Sequence, residues 1–445
     1  MIHVFRRVRS HQINSDGIDR AGVDASLSFI RLGMYPAYYW RDRRELSLSA
    51  STVREVIGLG CAAEFNFYSL SAIRDFLYHY EDYVSSIQRG LSQGNLNSEP
   101  LGTSGENPEL PPLFVAIPFN ACGHSHTFSV PAKVVVPSSA IVRNISGRNK
   151  SSITIYSVDG DFAVAEAALS EIGRHPGTEL DISKVLIPEY IVSAPDLKEW
   201  RTEFLELEKR FAAGELLKVV LAHQFRFQNV RSIGLRQLLC SEFLTQIDNR
   251  FRFLMASSDS DWIYSRSPER LLSTEGRMLK SEALGGTLRT GENCSNEKLN
   301  REHNAIVEQI DHDLRLCGIM PQCEGLDARS LDLGTIQHLW HQVRGELPGS
   351  LFKTDLLFAL HPTPAVCGLP KESALNVLEN FESFDRGLYG GPLGVIHGSS
   401  WNFLAGLRTV FSFENYFNIP IGVGIVRGSC PEEELAELYA KLGSL

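Results

Sequence analysis

The segment that most constrains this chain is the run 418–441, which predicts a buried strand, a glycine turn and a helix. Ile419 to Val426 is apolar, β-branched and interrupted by glycine, as in a strand that another part of the molecule approaches closely. Ser429 is the expected N-cap of the helix, and Pro431 falls in its first turn. The spacing of the glycines does not fit a G-x-G-x-x-G dinucleotide loop.

The predicted helix has two distinct faces. Leucines recur on one of them, at Leu435, Leu438 and Leu442. Glu434, Glu437 and Lys441 are three and four residues apart, so they share another face. Two carboxylates and an ammonium beside a glycine turn could hold a hard cation together with an acidic ligand. A solvated helix face is the alternative that this segment alone leaves open.

Composition limits the classes of protein that this chain can be. Its 445 residues allow two or three ordinary domains or one large two-lobed domain, and 43% hydrophobic with 22% charged residues is typical of a globular enzyme. The net charge of −10 argues against nucleic-acid or anionic-membrane partners. Eight scattered cysteines without a C-x-x-C pair predict free thiols. With no apolar span or secretory core, we expect a cytoplasmic protein.

The first half of the chain carries few chemical signals. Leu70 to Tyr83 predicts a helix, and Ser85 to Pro112, rich in glycine, serine, asparagine and proline, predicts a long surface loop. Phe128 to Pro137 and Ser151 to Val158 are typical of strands, and we expect them to form a hairpin around the turn at Ser146.

One cluster in this half has metal-ligand residue types. Cys122, His124 and His126 form a C-x-H-x-H pattern. No second group of matching ligands follows nearby, so the pattern is weak support for a zinc site.

Two charged residues in apolar surroundings stand out after residue 190. Lys218 interrupts the apolar strand predicted at 216–221, and Glu302 lies on the apolar face of a helix predicted from about Asn296. A buried charge is costly unless it is paired or functional. For Lys218 the alternative is an edge strand that faces water. For Glu302 the alternatives are a bound cation and a plain ion pair.

Several motifs together resemble the chorismate-binding enzymes, and among them the isochorismate synthases most closely. The resemblance covers about 190–445 and keeps the order and spacing of that family. It rests on Lys218-Val-Val-Leu, Ser267-Pro-Glu-Arg, Glu282-Ala-Leu-Gly-Gly-Thr, Arg301-Glu-His, His361-Pro-Thr-Pro-Ala-Val-Cys-Gly-Leu-Pro, Phe384-Asp-Arg-Gly-Leu-Tyr-Gly-Gly, Gly422-Val-Gly-Ile-Val and the run 431–441.

The resemblance implies one large α+β fold of two lobes, with two packed antiparallel sheets and the site in a cleft. A divergent N-terminal part at 1–185 and a chorismate-binding region at 186–445 would both contribute to the lobes. It also implies a monomer that acts on chorismate without a glutaminase subunit.

The resemblance assigns catalytic roles. Lys218 would be the general base that activates water to attack C2 of the ring, and it must be neutral to do so, which burial favours. Glu269 would be the general acid that protonates the departing C4 hydroxyl. Glu302 and Glu437 would bind Mg²⁺, with Glu434 acting beside them through water.

The remaining roles concern substrate binding. Tyr389, Arg408, the N–H groups around Gly422 and Gly424, and Lys441 would hold the enolpyruvyl carboxylate and neutralise charge. Three further residues would line or adjoin the ring site: Gly286, Thr287 and His361. For His361 a packing role in its loop is the alternative.

The same motifs separate the relatives. Anthranilate synthases usually carry glutamine in place of Lys218, and the aminodeoxychorismate enzymes that use a covalent lysine place it at Gly285. Water is therefore the expected nucleophile, which leaves isochorismate synthases of quinone and siderophore pathways or, alternatively, salicylate synthases. His223, Val395 and Leu435 depart from the family pattern, so a non-catalytic chorismate-binding paralogue stays open.

Overall fold

The computed structural model describes residues 8–13, 35–42, 52–92, 110–119, 127–146, 150–158, 160–171, 191–230, 232–235, 250–289, 297–323, 329–333 and 336–443. The helices are α1 (Leu70–Ser92), α2 (Ala163–Glu171), α3 (Leu197–Ala212), α4 (Glu297–Leu316), α5 (Lys353–Leu360), α6 (Lys371–Phe381) and α7 (Pro431–Leu442). The strands are β1 (Val8–Ile13), β2 (Ala37–Arg41), β3 (Thr52–Leu59), β4 (Ala63–Ser69), β5 (Leu113–Ala116), β6 (Thr127–Val136), β7 (Ser139–Ser146), β8 (Lys150–Val158), β9 (Ile191–Ser193), β10 (Lys218–Gln228), β11 (Arg252–Ala256), β12 (Trp262–Ser265), β13 (Arg270–Glu275), β14 (Met278–Arg289), β15 (Gln322–Cys323), β16 (Arg329–Asp332), β17 (Ile336–Glu346), β18 (Gly368–Leu369), β19 (Pro392–His397), β20 (Ser400–Ala405), β21 (Thr409–Phe413) and β22 (Tyr416–Val426).

Two antiparallel sheets organise the described residues. The first has twelve strands in the order β1-β8-β7-β3-β2-β11-β12-β21-β22-β10-β18, with β9 paired to β10. The second has ten strands in the order β15-β17-β14-β13-β20-β19-β5-β6-β4, with β16 paired to β17. The α+β class with two packed antiparallel sheets is thereby confirmed. Strands from the first 158 residues enter both sheets, so the two lobes do not follow a division of the chain near residue 185.

Three buried cores hold the layers together. Between the sheets, side chains such as Trp40 and Phe253 of the first sheet pack with Phe114 and Val395 of the second. Helices α3, α6 and α7 cover the first sheet, and α1, α4 and α5 cover the second. Apolar side chains at helical spacing explain this arrangement, because α3 buries residues of a single stripe against its sheet.

Three local predictions need correction. Helix α1 continues to Ser92, nine residues beyond the predicted end, because Val84 and Ile87 extend its apolar stripe. The predicted loop therefore begins later than Ser85. The hairpin partner of β8 is β7, whereas β6 pairs with β4 and β5 in the other sheet. A turn at Pro137 and Ser138 separates β6 from β7, and that turn sends the chain from one sheet to the other.

The end of the chain is organised nearly as predicted. Strand β22 leads through a short turn into α7, whose first residue is Pro431 and whose N-cap is Cys430. Ser429 is therefore not the cap, because its hydroxyl accepts a hydrogen bond from the Val426 amide at 3.2 Å and closes the turn instead. Leu438 is fully buried and Leu435 and Leu442 are partly buried against the same core, which confirms the apolar stripe.

Two further expectations can be placed against the described residues. The five cysteines among them are free thiols. The pattern Cys122, His124 and His126 lies outside the described residues. In the described parts of the chain, none of the helices has the length and apolar character needed to cross a membrane.

Candidate active site

A cleft opens where the two sheets and their helices meet. Strands β10 and β22 with helix α7 form one side, and β14, α4 and β17 form the other. Eleven of the thirteen predicted site residues line it: Lys218, Glu269, Gly286, Glu302, Tyr389, Arg408, Gly422, Gly424, Glu434, Glu437 and Lys441. Residues separated by more than 200 positions in the chain are thus brought to one place.

Lys218 is buried and paired. Its strand lies between β22 and β18, with Lys218 opposite Val426 and Leu369, so it is not at a water-facing edge. The side chain is 5% exposed, and Nζ lies 2.8 Å from Oε1 of Glu302 on α4. This contact places a lysine from one sheet against a carboxylate from the helix that covers the other sheet.

Two glycines of β22 make room for these groups. A Cβ atom on Gly424 would lie 2.9 Å from Glu302 Oε1 and 3.0 Å from Lys218 Cε. A Cβ atom on Gly422 would lie 2.9 Å from the Tyr389 hydroxyl. Side chains essentially never approach so closely, so both positions need glycine because of the packing around the cleft.

Glu269 is a buried carboxyl that contacts a hydroxyl group. It is fully buried, Oε1 accepts a hydrogen bond from the Thr363 hydroxyl at 2.9 Å, and Oε2 has no hydrogen-bond partner among the described residues. Burial raises the pKa of the carboxyl to about 8, with a small addition from Glu282, although Thr363 and Lys218 act the other way. The group is therefore protonated at neutral pH and has an oxygen from which it can donate.

Helix α7 presents charged groups to the cleft. Glu434 is 7% exposed although it is a carboxylate. Lys441 Nζ lies 2.7 Å from Glu437 Oε1 and donates to the Gly422 carbonyl at 3.0 Å. The predicted common face of this helix is thus turned towards the cleft and not towards open solvent.

Arg408 adds positive charge next to α7. Its Nη1 donates to the Lys441 carbonyl at 2.6 Å. Burial and the neighbouring Arg250 lower the pKa of Arg408 to about 9, which leaves the guanidinium charged at neutral pH. The φ angle of Arg408 is 53°, a strained conformation that is typical of functional sites. This corner of the cleft is suited to an anionic ligand.

Of the other two predicted site residues, His361 lies outside the cleft lining and Thr287 is described by its backbone alone. His361 is buried outside the cleft lining, where Nε2 meets the Phe119 carbonyl at 3.1 Å and burial lowers its pKa to about 3. Thr287 lies in β14 opposite His338 of β17, next to Gly286; its side chain is outside the description. The contacts of His361 are those of a packing residue in its loop.

The sequence reasoning missed part of the lining. His338 faces the cleft with Nδ1 3.3 Å from the Gly286 carbonyl, and burial lowers its pKa to about 3, so the ring is neutral. Apolar lining comes from Leu284, Leu299, Ala365 and Leu407. Only the register between β14 and β17 would have placed His338 here, and that register is not visible in a single sequence.

Comparison with known proteins identifies the family. The sequence model of the family described as "Chorismate binding enzyme" matches residues 38–445. The chain belongs to the chorismate-binding enzymes. The family expected from the motifs is thereby confirmed.

This chorismate-binding enzyme is similar to curated relatives along most of its length. It is 28% identical over 395 residues to the isochorismate synthase MenF of Haemophilus influenzae, which covers 84% of this chain and 86% of the relative. It is 27% identical over 431 residues to the isochorismate synthase MenF of Escherichia coli, which covers 92% of this chain and 87% of the relative.

Solved structures show the same fold. The menaquinone-specific isochorismate synthase MenF from Escherichia coli matches with a TM-score of 0.67 and 22% identity over 98% of this chain and 93% of that chain. Anthranilate synthase component I from Streptococcus pneumoniae matches with a TM-score of 0.63 and 16% identity over 87% of this chain and 91% of that chain. Likeness at these identities shows the fold alone.

The departures from the family pattern lie away from the cleft. Val395 is fully buried between the sheets, and Leu435 packs on the core of the first sheet. His223 meets Glu203 at 3.3 Å and packs edge-on against Trp200. None of the three lines the cleft of this chorismate-binding enzyme.

Proposed function

We propose that this protein is an isochorismate synthase, an isomerase that converts chorismate to isochorismate. Water would attack C2 of the ring while the C4 hydroxyl departs. The observation that carries the proposal is that one cleft holds both a buried lysine, Lys218, and a buried carboxyl with a raised pKa, Glu269. The isochorismate synthases MenF, which are similar to this chain along most of its length, support it.

Lys218 would act as the general base and Glu269 as the general acid. Lys218 Nζ takes a proton from water, whose oxygen bonds to C2. Both ring double bonds shift by one position towards C4, the C4–O bond breaks, and Glu269 gives its proton to the departing hydroxyl, which leaves as water. One water enters and one leaves, so the reaction is an isomerisation. A lysine acts as a general base only in its neutral form, so Lys218 must be without its extra proton when the water attacks.

The substrate carboxylates would bind at the cationic corner of the cleft. Arg408, Lys441 and Tyr389, with the backbone around Gly422 and Gly424, would hold the enolpyruvyl carboxylate. Beyond Asn418 no β21 residue pairs with β22 in the described part of the chain, so this edge of β22 is open to a ligand. Gly286 and Thr287 would border the ring site, and His361 would pack within its loop.

Mg²⁺ would bind to Glu302 and Glu437, with Glu434 beside them. Their donor set fits a hard cation, because carboxylate oxygens are the ligands that Mg²⁺ prefers. Among the described residues, no three histidine, cysteine, aspartate or glutamate side chains lie close enough together to bind a metal ion. Glu302 and Glu437 each contact a lysine instead. When bound, the cation would neutralise the carboxylates and the charge of the ring carboxylate.

Product analysis tests the proposal. Purified protein with chorismate and Mg²⁺ is expected to give isochorismate by chromatography, and ammonium salts should yield little aminated product. A salicylate synthase would release salicylate and pyruvate instead. A folded protein without turnover would point to a chorismate-binding paralogue, and substantial amination would remove the role given to Lys218. A sample with excess chelator is the matched control.

A further inference from the structure

A buried ion pair lies behind the cleft without lining it. Arg386 and Glu382 follow helix α6, and their side chains are 1% and 5% exposed. Arg386 Nε donates to Glu382 Oε2 at 2.7 Å, and Nη2 donates to Oε1, which gives a two-pronged contact. A buried ion pair is weak evidence for stability, because desolvation offsets much of its attraction. Its other contacts therefore indicate what it does.

Those contacts join two separate elements. Arg386 Nη2 donates to the carbonyl of Val220 in β10 at 2.7 Å, and Nη1 donates to the carbonyl of Val366 in the loop 361–370 at 2.7 Å. Glu382 Oε1 accepts from the amide of Ala222 at 2.8 Å. The pair thus holds strand β10 and the proline-rich loop in one fixed arrangement.

One of these elements carries a proposed catalytic group, Lys218, and the other contacts the second, Glu269. Lys218 precedes Val220 by two residues on β10, and both side chains reach the cleft. In the loop, the Val366 amide donates to the Thr363 carbonyl at 3.1 Å, and the Thr363 hydroxyl donates to Glu269 at 2.9 Å. Arg386 is therefore linked to Lys218 through strand β10, and to Glu269 through the loop and the Thr363 side chain.

Arg386 also contacts the segment that brings Tyr389 to the cleft. Its own carbonyl accepts from the Tyr389 amide at 2.9 Å, and its Cζ lies 4.3 Å from the centre of the Phe119 ring. The guanidinium has no donor directed into the cleft in the contacts that it makes, so it acts on the site only through its neighbours.

We propose that Arg386 and Glu382 are positioning residues that keep Lys218 and Glu269 in register on the two sides of the cleft. The inference rests on the proposed function, because it concerns the same base and acid. Displacement of about 1 Å in a catalytic group lowers rates on the order of a hundredfold. A planar guanidinium that meets two carbonyls and a carboxylate can prevent such displacement, whereas a point-charge ammonium cannot satisfy them all.

The test is the variant Arg386→Lys, which keeps the charge and loses the fork. We expect kcat to fall by about ten- to a hundredfold, with KM for chorismate changed by less than about threefold, since no substrate contact is removed. Arg315→Lys is the matched control. Arg315 also forms an i,i+4 two-pronged pair, with Asp311 at 2.6 Å, but on the exposed surface of α4, and its kcat should equal that of the wild type.

A double variant separates positioning from plain stabilisation. Thr363→Val removes the hydrogen bond to Glu269. The decreases in kcat caused by Thr363→Val and by Arg386→Lys should therefore be non-additive in the double variant. Independent losses that multiply would contradict the route through the loop. Unchanged kcat in folded Arg386→Lys would overturn the proposal. If that variant does not fold, Glu382→Gln, which keeps the shape but loses half of the paired contact, gives the same test.

Hydrogen exchange provides a readout that does not depend on turnover. Arg386→Lys should speed amide exchange at 218–222 and 361–370 while leaving α1 and α4 as in the wild type. If the variant and the wild type exchanged amide hydrogens at the same rate in these two segments, the proposal would be overturned, even if the wild type had no activity on chorismate. An inactive wild type with the expected exchange would instead contradict the proposed function alone.

Discussion

Carboxyl side chains in the cleft have two different surroundings. Glu269 is fully buried and contacts a hydroxyl, and burial raises its pKa to about 8. Glu302 of helix α4 and Glu437 of helix α7 each contact a lysine, at 2.8 and 2.7 Å. Carboxylates with separated environments can take separate roles, as proton donor and as metal ligand.

The largest expected effect comes from removing the proton-transfer groups. Lys218→Ala and Glu269→Gln should each lower turnover on the order of 10² to 10⁴, the usual range for general acid–base catalysis, while chorismate still binds. Forward and reverse rates should fall in the same proportion, because both directions pass through the same transition state. Steady-state rates from chorismate and from isochorismate provide the measurement.

Exposed residues of the same types serve as controls for that experiment. Lys209→Ala and Glu346→Gln change side chains that are 74% and 65% exposed and lie away from the cleft. Both should retain wild-type turnover. Near-normal activity in Lys218→Ala would mean that the buried lysine only packs and pairs with Glu302. The difference between the surroundings of Glu269 and those of Glu302 would then have no role in catalysis.

The next effect concerns Glu302 and Glu437, the carboxylates that contact lysines. Glu302→Gln or Glu437→Gln should raise the Mg²⁺ concentration for half-maximal rate on the order of tenfold or more, about 1.4 kcal/mol of binding per factor of ten. The physical reason is that an amide oxygen carries no charge for the cation. Titration of the rate with Mg²⁺ measures this, with Glu206→Gln on the surface as the control. Turnover that survives exhaustive chelation would contradict the metal assignment.

A smaller effect is expected from pH, through the carboxyl of Glu269. As a proton donor, Glu269 is active below its folded pKa of about 8 and inactive above it. The value of kcat/KM should therefore fall as pH rises beyond about 8, approaching tenfold per unit. Residual activity in Glu269→Gln should lack this limb. A wild-type profile that stays flat to pH 10 would show that no group with this pKa donates the proton.

The smallest effect is on stability. Because the folded pKa of Glu269 is raised above its unfolded value, the folded state holds a proton that the unfolded state releases between about pH 4.5 and 8. Stability conferred by that proton is complete at low pH and is lost as pH rises through this window. Glu269→Gln should therefore unfold a few degrees above the wild type at pH 8.5 and show a smaller gain at pH 5. A gain that does not change with pH would contradict the burial of an ionisable group.

The sequence predicted the charged groups of the cleft better than the strand pairing. Lys218 and Glu302 were visible because a charge in an apolar run needs an explanation, and the α7 face was visible from helical spacing. The partners were not visible: that Lys218 meets Glu302 depends on which strands and helices lie together. His338 reaches the cleft only through the register of β14 with β17.

Other misses have the same physical origin. The strand β6 was assigned to the wrong hairpin because short apolar strands carry no record of the sheet that they join. Arg386 and Glu382 were not recognised as a unit with the catalytic groups. Their carbonyl and amide partners belong to the backbone, which gives no signal in residue type.

The origin of the new hydroxyl tests the central claim most directly. In water enriched in ¹⁸O, isochorismate collected early in the reaction should carry one ¹⁸O atom at C2, as mass spectrometry of the purified product would measure. Lys218→Ala should form little labelled product at the same protein concentration. Isochorismate without the label would mean that the hydroxyl moves within the substrate, which would contradict water activation by Lys218 and proton donation by Glu269.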